Sequence, residues 1–486
     1  MLPTKLKFIS AAGIACLWSA SAAAQVSCGD QNTTYKVGRV DADTFSVEAD
    51  FATPTSRLDV YCFPIKGRSE GQVESIKDLQ AYDGNNAPIS LKYVGEGGWE
   101  TDSAQKAARI TYQVRADHDA VDWGDGGPGK DEVATRFDNS YFFVGHAFFV
   151  IDYDWPSCPI DVVFDLPDDW VVTSPWPMNE MTATPSTPSN LARNGFAMGT
   201  DKPKSAKLGE LEITWLTSAN LKPVEKRVTE LMEIVPAEYS EFFGGAPGQK
   251  FNTYFFSDYM TDGGAFENSF AMRVAYPLSA ADELVWSHTL GHETMHLWNG
   301  AGGIKGANPE RTYWFTEGFT DYLTIKLMRK AGLIDDALLQ QRLANILRRF
   351  EIAKRRSPNV KLADAGAKKM ENWELIYGGG ALTALLLDAE LSAKDPTAFR
   401  RAMRDLYAHS DEPYELERLM ARLNASTGGK AGELVSWIEG APSAMEIRKR
   451  LASSGIDVTN FGFDEVYVVF PDCGKPSCAP AFLAGP

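Results

Sequence analysis

His292 and His296 stand four positions apart in "GHETMHLWNG", with Glu293 directly after the first, and no other stretch constrains the chain as tightly. The surrounding run, "LSAADELVWSHTLGHETMHLWNGAGG", reads as a helix. Ser279 followed three residues later by Asp282 is a capping-box variant, and the closing glycines suit a helix stop. A helix of about 20 residues fits between these signals. Residues four apart on a helix lie only ~40° apart around the axis and ~6 Å along it, so both imidazoles reach one ion. Glu293 points ~100° away from His292. It stands aside from the ligand positions, yet within reach of a water at the ion, where a general base is needed. The bland alternative is a surface helix that carries two histidines by chance.

A third candidate ligand some twenty residues downstream argues against chance. A catalytic zinc site has three protein ligands and one open position. The best third ligand is Glu317 in "YWFTEGFTDYL", at the start of an apolar helical run, "FTDYLTIKLMRKAG", that stops at Gly332. Asp321 comes one turn later on the same face, placed to orient a ligand histidine from behind. Two competitors are weaker. His288 lies one turn before His292, but three successive turns do not converge on one ion. Glu310 comes after Pro309 in what reads as a loop.

The chain has 486 residues, 44% of them hydrophobic, enough for two or three domains with their own cores. It opens with the charged run "MLPTKLK", then "FISAAGIACLW", then "SASAAAQ", the pattern of a signal peptide cleaved after Ala24. An uncleaved membrane anchor is the alternative. No later segment reads as long and apolar enough to cross a bilayer. The expected mature protein is therefore soluble and exported, periplasmic or secreted, with no membrane span. Without Lys5 and Lys7 it carries 46 Lys and Arg against 65 Asp and Glu, a net charge of -19 in place of -17. Such a surface repels phosphate backbones, so no nucleic-acid partner is expected. Cys16 leaves with the signal. "CGKPSC" brackets a turn and suggests a Cys473–Cys478 disulfide; a zinc ribbon would need a second cysteine pair. Of Cys28, Cys62 and Cys158, one stays free or pairs elsewhere.

Residues 25–200 alternate apolar and polar residues in short runs such as "ARITYQVRAD", "YFFVGHAFFVIDYD" and "IDVVFDL", which predicts a sandwich or a large curved sheet. "TSPWPMNEMTATPSTPSN" (173–190) reads as a connector. "GDGGPGKD" (124–131) nearly fits a phosphate loop, but Asp131 replaces the needed hydroxyl and no apolar strand precedes it, so a surface turn is expected. After about residue 280 the period turns helical, with "DDALLQQRLANILRRFEIAKRR" and "DPTAFRRAMRDLYAH" each starting on aspartate and Pro396 in the first turn of the latter.

Together these residues resemble the glycyl aminopeptidase family of gluzincin zinc metallopeptidases, which is related to the alanyl/leucyl zinc aminopeptidases. The resemblance rests on "HETMHLWN" with "WFTEGFTDY", and on "EFFGGAPGQKFNTYFF" (241–256), "GGAFENS" (263–269) and "YGGGALTALLLDAEL" (377–391) in family order. It covers roughly residues 160–440. It implies an α+β multidomain protein: after the signal peptide (1–24), an N-terminal β-rich domain (25–200), a thermolysin-like zinc catalytic domain (201–332) and a C-terminal helical domain (333–455). A tail with a disulfide loop (456–486) completes the expectation. The resemblance also implies that His292, His296 and Glu317 hold Zn²⁺ and that Glu293 is catalytic. Tyr377 resembles the tyrosine that donates to the charged oxygen during hydrolysis, a donor the chemistry asks for, and the glycines after it are expected to leave room for close backbone approach to a ligand. Glu267, in a motif similar to GxMEN, would bind the free α-amine of a peptide, with Gly263, Gly264 and Ala265 pairing along its backbone. The implied function is a zinc aminopeptidase acting on peptides. An endopeptidase with the same zinc chemistry is the first alternative. A non-catalytic, zinc-stapled peptide-binding protein is the second, and a structural zinc does not need Glu293.

Overall fold

The computed structural model describes residues 32–62, 70–102, 104–116, 135–137, 139–258, 261–300, 302–459, 466–471 and 478–484. The expected signal peptide, the turn at 124–131, Cys28 and Cys473 lie outside these residues. The chain divides into two compact units. The first holds residues 1–207, 212–226 and 249–286, and the second holds 208–211, 227–248 and 287–486.

The first unit carries nearly all the strands, and their alternation sets its layers. In Thr33–Arg39, Tyr35 and Val37 are fully buried while Lys36 faces out, the period of two that a half-buried strand requires. This strand pairs antiparallel with Thr44–Thr55 and parallel with Ile160–Asp165, within an eight-stranded sheet. A four-stranded sheet contains Ser140–Val144 and Gly195–Gly199, paired antiparallel. Every residue of Ser140–Val144 is buried, so this run does not alternate as its sequence suggested; it is covered on both faces. Its Tyr141 and Phe143 rings join a dense aromatic core, in which Phe143 stacks on Phe196 at 5.3 Å.

Residues 173–190 are not the bare connector that their composition suggests. Met178–Asn179 and Thr182–Ala183 pair as strands at one edge of the eight-stranded sheet, and Trp176 among them is 1% exposed. A third, five-stranded sheet runs in the order Lys204–Leu208, Leu211–Thr217, Lys250–Asp258, Ser269–Ala275, Asp262–Ala265. Its last strand is the outermost and carries Gly263, Gly264 and Ala265, opposite Met272, Ala271 and Phe270. A Cβ on Gly263 would come within 2.5 Å of the Phe270 ring, which is why glycine stands there.

The second unit is helical. Asp335 caps the helix Asp336–Arg356 by accepting from the Leu338 N–H at 2.8 Å, as the aspartate-led sequence predicts. The helix Ala398–Ala408 begins later than expected, because Asp395 turns its carboxylate onto the Thr397 N–H at 2.9 Å and holds Pro396 in a preceding turn. At the centre, Gly380–Ser392 is buried on all sides over its first ten residues. The run Leu375–Ser392 has the length and mean hydropathy of a bilayer span, contrary to the sequence reading, but 83% of it is buried inside the protein. Its deep charge, Asp388, is fully buried and paired with Lys326, with Tyr322 and Ser392 also donating to it.

Two glycines set the closest approach of the central helices. A Cβ on Gly318 would stand 2.5 Å from the Gly380 Cα, and one on Gly380 would stand 2.0 Å from the Trp314 carbonyl oxygen. Pro309–Lys330 and Gly380–Ser392 therefore meet backbone to backbone beside Glu317. Cys158 and Cys478 are each disulfide-bonded, and among the described residues Cys62 is a free thiol.

Candidate metal centre

The histidine helix runs from Ala280 to Met295, 16 residues, shorter than expected because the chain turns tightly from His296 onward. Ser279 caps it by accepting from the Asp282 N–H at 3.1 Å. Glu317 does not open the second helix; it lies in the middle of Pro309–Lys330, whose first residue is a proline suited to that position. Glu310, expected in a loop, sits in the first turn of this helix and takes no part in the cluster.

Three ligand atoms converge from these two helices. Glu317 Oε2 lies 3.2 Å from His292 Nε2 and 3.5 Å from His296 Nε2, and all three atoms lie within 4.8 Å of one another. Ligand bonds of 2.0–2.1 Å in a tetrahedron put neighbouring ligand atoms about 3.3 Å apart, so the set fits a zinc-sized ion. His296 Nδ1 stands 3.0 Å from the Asn299 carbonyl oxygen. A carbonyl only accepts, so Nδ1 carries the proton and Nε2 keeps a lone pair that could bind an ion. His292 Nδ1 faces Asp321 Oδ1 at 3.7 Å, and the same oxygen accepts from His288 Nε2 at 2.7 Å. His288, His292 and Asp321 also form a compact group, but there His292 would have to turn its Nδ1 to the ion, and Arg349 lies 3.6 Å from Asp321. Glu293 stands just outside the triad, its Oε2 4.0 Å from His296 Nε2.

The electrostatics come from burial and neighbours. Burial opposes ionisation of Glu317, but Lys369 and the two histidines hold its carboxyl well below the usual range. Burial likewise opposes charge on His292, yet the Asp321 and Glu317 carboxylates lift it to about 10. Burial, then the field of Arg342, brings His288 down to about 4, so it donates to Asp321 as a neutral ring.

Tyr377 sits in a π-helical turn, Leu375–Gly379, the kind of widened turn that re-aims a side chain. Its hydroxyl donates to Glu317 Oε2 at 2.7 Å, and its ring stacks on Trp373 at 4.1 Å and faces His292 at 5.8 Å. Burial, then the Glu317 charge, pushes the phenol well above its ordinary value, so it remains a donor. The glycines after it do not clear room for a ligand, as the sequence suggested. A Cβ on Gly378 would stand 2.7 Å from the Phe350 backbone nitrogen, and Gly380 meets Trp314, so they let helices close around the tyrosine.

Lys369 was not singled out by sequence reasoning. Its ammonium lies 2.8 Å from Glu317 Oε1 and 4.3 Å above the Tyr313 ring. Nothing local marks it, since it sits among other lysines 52 positions from its partner.

The remaining candidates belong to the first unit. Glu267 donates its N–H to the Arg193 carbonyl at 2.9 Å and accepts from Asn190 Nδ2 at 3.1 Å. Asn190 is held in turn by Thr187, whose hydroxyl accepts from its N–H at 2.9 Å. Asn190 was also missed, because it lies at the end of the stretch that read as a connector.

Comparison with known proteins bears on this geometry. The Peptidase M61 N-terminal domain matches residues 68–192, and the M61 glycyl aminopeptidase domain matches residues 286–378. No curated protein matches the chain. Among solved structures, an aminopeptidase N family protein from Idiomarina loihiensis aligns with a TM-score of 0.71 at 16% identity, over 88% of this chain and 79% of that one. An M1 zinc metallopeptidase from Deinococcus radiodurans, bound to a Tyr-Ser-Ala substrate, aligns with a TM-score of 0.50 at 16% identity, over 85% of this chain and 94% of that one. At such identities the likeness is one of fold. Both matches are to domains of one peptidase family, the second spans every residue of the histidine–carboxylate cluster, and the chain is a peptidase that carries an M61 N-terminal domain and an M61 glycyl aminopeptidase domain.

Proposed function

We propose that the protein is an exported zinc aminopeptidase that removes the first residue of peptides. The observation that carries this reading is the triad of His292, His296 and Glu317 with Glu293 standing just outside it. His292, His296 and Glu317 hold the ion. Zinc bound there would polarise the scissile carbonyl and make a water acidic enough to attack at neutral pH. Glu293 takes the proton from the attacking water and passes it to the leaving amine. Tyr377, kept protonated by burial, donates to the carbonyl oxygen as it gains charge. Asp321 holds the His292 ring in orientation from behind. Disulfide-bonded Cys158 and Cys478 support an oxidising, extracytoplasmic compartment.

Glu267 carries the aminopeptidase part of the reading, with Gly263, Gly264 and Ala265 pairing along the extended substrate. A free α-amine has a pKa of about 8 and is largely charged at neutral pH. A carboxylate fixed by Asn190 attracts that charge and sets the register of the chain, whereas a blocked terminus leaves the anion unpaired. Glu267→Ala should therefore raise KM for free-amino peptides and erase their advantage over acetylated ones. The measurement is kcat/KM for one peptide with free and acetylated ends, in wild type and variant, with and without chelator. A wild type that prefers the blocked peptide, or a variant that slows both equally, removes the amine-binding role and brings the endopeptidase forward. Tyr377→Phe should lower kcat by roughly ten- to a thousand-fold with a smaller change in KM, since its contribution falls in the transition state. An unchanged kcat returns Tyr377 to a packing role.

A further inference from the structure

We propose that Lys369 makes Glu317 a one-oxygen ligand, its ammonium occupying Oε1 so that only Oε2 is offered to the ion. This rests on the metal reading above and goes beyond it. The two oxygens of Glu317 are already divided. Oε1 takes the lysine at 2.8 Å, while Oε2 faces Tyr377, His292 and His296 at 2.7, 3.2 and 3.5 Å. The ammonium is placed by more than its partner. It lies 4.3 Å above the ring of Tyr313, which stands one turn before Glu317 on the same helix. The segment that delivers it, Leu362–Lys368, is pressed onto the start of that helix, where a Cβ on Gly366 would meet the Glu310 carbonyl oxygen at 2.0 Å.

The consequence is chemical. A carboxylate left to itself can grip a cation with both oxygens. A second oxygen from Glu317 would fill the open position that catalysis needs and would donate more charge to the ion. A lysine on Oε1 blocks that mode and offsets the carboxylate's charge, so an ion held there would keep more of its pull on a substrate carbonyl. Lys369 is thus a positioning residue, acting through Glu317.

The test replaces zinc with cobalt, whose visible absorption is strongest when four-coordinate and falls as further ligand atoms join. Wild type should show the intense spectrum at one cobalt per chain. Lys369→Met should keep its cobalt but lose roughly half or more of that intensity as Oε1 joins the ion. Its kcat should fall by about 10–100-fold with KM little changed. A weak wild-type spectrum, an unchanged spectrum in Lys369→Met, or a folded Lys369→Met that loses its metal overturns the proposal. Should Lys369→Met fail to fold, a zinc-loaded crystal structure of the wild type decides: Oε1 on Lys369 supports it, and both oxygens on the ion overturn it. A wild type that binds neither metal overturns the metal reading as well, which separates the two failures.

Discussion

Glu293→Gln is expected to keep its metal and its fold while losing about 10²–10⁴-fold in turnover, the usual scale for removing a general base. The geometry requires this separation. Glu293 Oε2 lies 4.0 Å from His296 Nε2 and is not one of the three converging ligand atoms, so the amide changes nothing the ion touches. The amide is also nearly the same size as the carboxylate, so packing around a side chain that is 20% exposed is undisturbed. What it cannot do is accept a proton. The check is metal content by elemental analysis beside kcat on a free-amino peptide. Near-normal turnover in the variant assigns the base to another residue. Joint loss of metal and activity would mean that Glu293 helps to build the site.

Asp388→Ala is expected to cost about 3–5 kcal/mol of stability, the range seen when one partner of a buried ion pair is removed. Asp388 is fully buried and the Lys326 side chain is 7% exposed, so the lysine left behind has no route to water. Tyr322 and Ser392 lose their acceptor at the same time. Replacing both ions, as Lys326→Met with Asp388→Leu, should recover most of the loss, because an apolar pair leaves no uncompensated charge. Urea unfolding monitored by near-UV circular dichroism measures both variants. A cost of the single change below about 1 kcal/mol would mean that the lysine reaches solvent or another partner.

The features legible in the sequence are those that local periodicity decides. His292 and His296 meet because a helix repeats every 3.6 residues, and Ser279 and Asp335 cap helices through contacts three residues away. The β-rich character of the N-terminal region was readable for the same reason. What escaped the reading depends on partners distant in the chain. Lys369 is a surface-like lysine until Glu317 is placed beside it, and Asn190 is a connector residue until Glu267 is. Leu375–Ser392 shows the limit from the other side. Its composition states that it avoids water, but only packing decides whether lipid or protein covers it. The role of the YGGGA glycines was misassigned because a glycine reports that something comes close, not what.

The crossing of Gly318 with Gly380 also limits how this enzyme can be hardened against heat. Exchanging a helix glycine for alanine ordinarily gains about 1 kcal/mol and is among the first changes tried in thermostabilisation. Here neither position has room for a methyl group, and each is within three residues of a proposed active-site side chain, Glu317 or Tyr377. A bulkier residue would wedge the two helices apart and separate Glu317, a proposed metal ligand, from the tyrosine that now touches it. Directed evolution for heat resistance should therefore find its gains on outer helices and loops, and leave this pair of glycines untouched.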